Sequence, residues 1–137
     1  MMRMTVVFSL LMIFFLTGCT QKEIVLPQSE KEVSIRFSQT VSLSQQGISI
    51  QFSELVDDSR CPAGVACIWE GEVTVKLQIR ISDREPEIAI LGLSPRPEVA
   101  QSYEAGGHTF TLKEVNPYPV HGKTTRLKDY SVVVEIQ

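Results

Sequence analysis

The 137 residues carry 13 basic and 16 acidic side chains, a net charge of −3, with 43% hydrophobic and 21% charged residues. This is the composition of one globular domain of ordinary size rather than of a disordered chain. No basic block or stripe occurs, which argues against nucleic acid as a partner, since phosphate contacts need clustered lysine and arginine.

Met1 to Arg3 forms a short positive segment, and Met4 to Leu16 is an almost unbroken apolar run. A bilayer-spanning helix needs about 20 apolar residues, so the run fits the core of a signal peptide instead. It ends in Leu16-Thr17-Gly18-Cys19, which resembles the lipobox of bacterial lipoproteins. The resemblance implies a signal peptide over 1–18 and a new N-terminus at Cys19 carrying a diacylglycerol thioether and an amide-linked acyl chain such as palmitate. More than one chain gives stable anchoring. A plain secretory signal, or a buried apolar element with an incidental cysteine, is the alternative. Removal of Arg3 leaves the mature chain one charge more negative. Thr20 in place of an aspartate leans toward the outer membrane, on its periplasmic face, in a Gram-negative host; otherwise the protein would sit on the outer face of the cell membrane. Residues 19–32 read as a polar tether, although Ile24, Val25 and Leu26 also fit a first edge strand.

The body, 33–137, reads as β. Val33, Ile35 and Phe37 alternate with Ser34 and Arg36; Val41 and Leu43 follow the same rule, as do Ile48, Ile50 and Phe52 after Gly47. Side chains on a strand change face at every residue, so a period of two means one buried and one wet face. The longest case is Val73 to Ile81. Ser82 to Pro86 is a turn, Ile88 to Leu93 a shorter strand, and Pro95 and Pro97 break the chain. Gly106-Gly107 introduces a strand from His108 to Val115, residues 116–125 form a Pro/Gly loop, and Tyr130 to Ile136 closes the chain. No segment keeps a helical period. About seven to eight strands with regular turns predict an all-β fold, an antiparallel β-sandwich or barrel-like domain. Gly47 to Leu55 parallels Gly107 to Val115, either as a strand–loop–strand unit used twice or as a chance match of β patterns.

Between two of these strands lies 57–71, DDSRCPAGVACIWEG, with two of the three cysteines and the single tryptophan. With Cys19 lipidated, an exported domain has one pair of cysteines left, which predicts a disulfide between Cys61 and Cys67. Closing so small a ring stabilises by about 2 kcal/mol in the chain-entropy model. Neither a redox Cys-x-x-Cys nor a zinc cluster fits the spacing. Trp69 is expected to pack over the disulfide and close one end of the core, or else to stand out as a binding anchor. Asp57, Asp58 and Ser59 suit a hydrogen-bonded turn. Arg60 has those carboxylates or Glu70 as partners. Candidate binding residues are therefore Asp58, Arg60, Trp69 and Glu70.

The stretch DSRCPAGVACIW is similar to the DSRCP-x-G-V-x-C-x-W signature of a family of small exported bacterial domains without assigned activity, many of them lipoproteins, in which a later Pro-Tyr-Pro, here Pro117-Tyr118-Pro119, accompanies the signature. The resemblance is dense over Phe52 to Val75. It implies an all-β lipoprotein domain with Cys61 bridged to Cys67. Glu70 stands where the family pattern has a small residue.

Little else carries chemistry. There is no G-x-S-x-G elbow and no glycine-rich phosphate loop opening a helix. His108 falls in a strand pattern and His121 in a loop. Glu85 and Glu87 flank a proline turn and are surface charge. The leading expectation is a non-enzymatic cell-envelope lipoprotein, anchored in the membrane through Cys19, without cofactor, that binds or supports another envelope protein. The alternatives are an inhibitor of exported proteases using the constrained loop 59–67, and a metal-binding protein using His108 and His121.

Overall fold

The computed structural model describes Ile24–Val25 and residues 31–137. The signal segment, Cys19 and most of the tether lie outside the described residues. The described chain is all-β, two sheets packed face to face around one apolar core, with one turn of 3₁₀ helix at Leu127–Asp129.

The strands are β1 (Ile24–Val25), β2 (Glu32–Arg36), β3 (Thr40–Leu43), β4 (Ile48–Asp58), β5 (Val73–Ile81), β6 (Glu87–Leu93), β7 (Ser102–Ala105), β8 (His108–Asn116) and β9 (Ser131–Ile136). One sheet has the order β1-β3-β4-β5-β6 and the other β2-β9-β8-β7. All pairings are antiparallel except that of β1, which lies parallel to β3. Thus β3 to β6 form one up-and-down meander, β7 to β9 a second, and β2 pairs with β9.

The alternation seen in the sequence decides which face is buried. Ile48, Ile50 and Phe52 of β4 and Val73, Val75, Leu77 and Ile79 of β5 point inward, while their polar neighbours point out. Phe110 and Leu112 of β8 and Val132 and Val134 of β9 face them from the other sheet. Each such side chain contributes about 1.5–3 kcal/mol by leaving water. Phe52 also meets Phe37 edge to face, with ring centroids 5.4 Å apart. No polar or charged residue is buried over its whole surface among the described residues, although the side chains of Asp58 and Arg60 are largely withdrawn from water. In β6 the inward positions are Ala89 and Leu91, which leaves Ile88 and Ile90 exposed on the outer face of an edge strand.

Ile24–Val25 pairs with Val41–Ser42 as the edge strand that the sequence offered as an alternative. Two elements differ from the sequence expectation. The strand β7 was not expected: Ser-Tyr-Glu-Ala holds no β-branched residue, and its signal is the two-residue turn. Gly106 and Gly107 both have positive φ and join Ala105 to His108, the geometry of a type I′ hairpin. Tyr130 lies just before β9 instead of inside it, yet its ring is still buried.

The paired segments of the sequence occupy equivalent places. Each forms the body of an inner strand of a meander, β4 or β8, and each breaks register at the same point, between Phe52 and Glu54 and between Leu112 and Glu114. The irregular chain after each then converges on one end of the sandwich.

The disulfide loop as candidate functional site

Beyond Asp58 and Val73 the β4–β5 pair continues as an irregular ribbon. Ser59 N–H donates to the Glu72 carbonyl at 2.8 Å, and Cys61 N–H to the Glu70 carbonyl at 2.9 Å. The Ser59 hydroxyl accepts from Glu72 N–H at 3.3 Å. Gly71 makes this ribbon possible: its φ is +71°, and a Cβ there would lie 1.9 Å from the Ser59 carbonyl oxygen. The Cys61–Cys67 disulfide closes the tip as expected, with a Cα–Cα distance of 5.9 Å, ordinary for a disulfide.

Arg60 turns inward at the base of this loop. Its Nε donates to Asp58 Oδ1 and its Nη2 to Asp58 Oδ2, each at 2.7 Å, a two-pronged pair. Nη1 donates to the Val115 carbonyl at 2.7 Å and Nη2 to the Pro117 carbonyl at 3.1 Å. The guanidinium carbon stands 5.0 Å from the centre of the Tyr118 ring. Asp58 also accepts from the Tyr130 hydroxyl at 3.0 Å. A second strap runs in the backbone: Ala63 N–H donates to the Pro119 carbonyl at 2.9 Å, and His121 N–H to the Ala63 carbonyl at 3.0 Å. The two loops that follow β4 and β8 are therefore fastened to each other by one arginine and a short parallel bridge. In this chain the cysteine segment and Pro117-Tyr118-Pro119 are thereby held together at one end of the sandwich.

The electrostatics follow from the geometry. Burial raises the pKa of Asp58, but the hydrogen bonds and charge of Arg60, with the Tyr130 hydroxyl, outweigh it and hold the carboxyl below the usual range. Burial, and then the hydrogen bond to Asp58, push Tyr130 upward. Nearby, Glu72 is held low by hydrogen bonds from Arg96 and from Ser94, whose hydroxyl donates at 2.8 Å. Glu72 and Arg96 form an ion pair beside a shallow cleft of about 130 Å³, walled by Trp69, Glu70 and Pro95.

The four candidate binding residues separate into two groups. Asp58 and Arg60 are consumed inside the fold, with side chains 7% and 9% exposed. Trp69 is 76% exposed and Ile68 fully so, and Glu70 is exposed beside them. The expectation that Trp69 packs over the disulfide is corrected. The ribbon carries the tip past the end of the sheets, so nothing of the core lies beneath the indole. The buried Tyr130 ring and the Arg60 side chain lie at that end instead. Segment 59–67 holds no Lys or Arg other than Arg60, whose side chain is drawn into the fold. His108 opens β8 and His121 follows its far end, a strand length of roughly 26 Å away. Among the described residues no three of His, Cys, Asp and Glu are placed to hold a metal ion together.

Comparison of the chain with protein-family models, curated proteins and solved structures gives no match.

Proposed function

We propose that this chain is a lipid-anchored, non-enzymatic domain of the cell envelope whose disulfide-loop end makes contact with another envelope component. The reading is carried by one contrast at that end. The groups able to do chemistry, Asp58, Arg60 and Tyr130, are spent on one another, while Ile68 and Trp69 face solvent from a loop held at both its base and its tip. A pre-organised apolar projection of this kind loses little entropy on contact, which suits holding rather than turnover. The exported address and the lipid on Cys19 belong to the same proposal and rest on the Leu16–Cys19 motif.

A photoreactive residue in place of Glu70, activated in living cells expressing the full chain, tests the contact. A defined crosslinked species from position 70, absent when the same residue replaces Glu85 on the opposite turn, is the expected result. The same smear from both positions would reject a specific contact at the loop. The N-terminal address is tested separately by the mass of the mature N-terminal peptide, which must show acylated Cys19.

A further inference from the structure

We propose that the tip of the disulfide loop, Ala63 to Trp69, rests in the headgroup region of the same membrane that holds the lipid on Cys19. The inference rests on the lipoprotein reading and names the lipid surface as what the loop end touches. All seven residues of the tip are exposed and none is charged. Ile68, Trp69 and Val65 stand out from it, and the bridge between Ala63 and Val120 brings the exposed Val120 and Tyr118 alongside. A single exposed apolar side chain needs no explanation, but a gathered set at one end of a domain does. Tryptophan and tyrosine favour the boundary between hydrocarbon and water, because their rings are apolar and their tips polar. Much of the charge near the base of the loop is neutralised within the fold, Asp58 by Arg60 and Glu72 by Arg96. Glu70 sits at the shoulder of the tip, where its carboxylate stays in water.

The direction of the chain at β1 says why a lipid surface, and not some other apolar partner, meets this end. Ile24 lies beside Val41 in a parallel pairing, and Val41 faces Ile50 in an antiparallel one. Followed backwards from Ile24, the chain is therefore headed the way β4 runs, toward Asp58 and the disulfide loop. Cys19 is five residues upstream of Ile24, a reach of at most about 17 Å. The strand from Ile50 to Asp58 spans about 25 Å. So short a leash holds the domain against the bilayer with its loop end toward the lipid. The strands then incline until the β1 edge and the loop tip meet one surface. A tip fixed by a disulfide and by the Arg60 clamp enters that surface already ordered.

Trp69 is the single tryptophan of the chain, so its fluorescence reports the tip alone. The experiment uses the full chain, processed in bacteria, extracted from membranes and reconstituted into phosphatidylethanolamine–phosphatidylglycerol vesicles. Some vesicles carry phosphatidylcholine brominated on its acyl chains. Trp69 emission is expected to shift to the blue on reconstitution and to lose intensity with the brominated lipid. Ile68→Ser, whose side chain touches nothing in the fold, should reverse both changes while the protein stays with the vesicles. Protein that floats with the vesicles yet keeps red, unquenched emission overturns the inference and leaves the anchor intact. Protein that does not float at all overturns the lipoprotein reading and the inference with it.

Discussion

Arg60 closes on Asp58, two residues upstream, through two hydrogen bonds of 2.7 Å, and with its remaining donors grips the carbonyls of Val115 and Pro117 on the other loop. The pair is desolvated, and removing one partner strands the other. Breaking such a pair costs about 3–5 kcal/mol. Arg60→Ala should fall near the lower bound, since the site lies at one end of the domain. Arg60→Lys should recover only part of the loss, because an ammonium neither forks onto a carboxylate nor stacks flat on Tyr118. Urea denaturation of the three proteins gives the comparison. A loss for Arg60→Ala under about 0.5 kcal/mol, the range of an ordinary surface change, would show that the clamp does not hold the loops.

Asp58 also sets a pH dependence. Its folded carboxyl binds a proton less tightly than the unfolded one, whose pKa is about 3.9. The unfolded state therefore takes up more protons as acid is added. The stabilisation is complete above that value and disappears as pH falls through the lower folded one. Asp58→Asn should be less stable at neutral pH and should lose less further stability on acidification. Parallel acid titrations followed by circular dichroism would reveal this. Curves of equal slope would mean that Glu72, Asp129 and Glu135, whose carboxyls are also held low, carry the acid sensitivity instead.

Two glycines with similar backbone angles should respond differently to alanine. Gly71 has φ +71° and its absent Cβ would strike the Ser59 carbonyl; Gly107 has φ +84° and open space around it. Gly107→Ala bears only the left-handed penalty of roughly 1–2 kcal/mol. Gly71→Ala adds a backbone clash that the ribbon can relieve only by parting its hydrogen bonds at Ser59 and Cys61. Its melting temperature should fall clearly further than that of Gly107→Ala. Equal shifts would mean that the ribbon opens without cost.

The strands were legible because their core-facing stretches keep a period of two, unbroken in Val73 to Ile79 and interrupted in β4 and β8 only where register shifts, and a buried face leaves that mark on the sequence. The hairpin at Gly106-Gly107 was half legible: the turn chemistry was present, but Ser102 to Ala105 has too few β-forming residues to show as a strand. The loop site was legible in its covalent part alone. Two cysteines six positions apart leave few partners to choose from, whereas Arg60 reaches Val115 across 55 positions and no local pattern records that. Trp69 misled for a related reason. Size favours burial, but whether a core lies beneath the ring depends on how far the ribbon projects, and that is set by Gly71 and the Cys61–Glu70 hydrogen bond.

The disulfide should matter for stability but not for the sandwich itself. Its ring is small, so opening it costs about 2 kcal/mol by loop entropy, and the core lies below it. Cys61→Ser with Cys67→Ser should lower the urea midpoint by that equivalent while the far-ultraviolet dichroism of the strands is unchanged. Unfolding of the double variant at neutral pH would indicate that the ring is required to seat Arg60. Thiol titration of the denatured wild-type protein should find neither Cys61 nor Cys67 free.

Trp69 and Phe52 provide the sharpest contrast between surface and core. Phe52 is fully buried and in ring contact with Phe37, so Phe52→Ala should cost about 3–5 kcal/mol. Trp69 is the larger side chain, and in a core it would cost as much. At 76% exposure on the loop tip, Trp69→Ala should change stability by no more than about 0.5 kcal/mol. In detergent-free solution the indole should emit like free tryptophan and be quenched readily by acrylamide. A destabilisation of Trp69→Ala comparable to that of Phe52→Ala would place the indole back over the disulfide and remove the apolar projection on which the proposed contact depends.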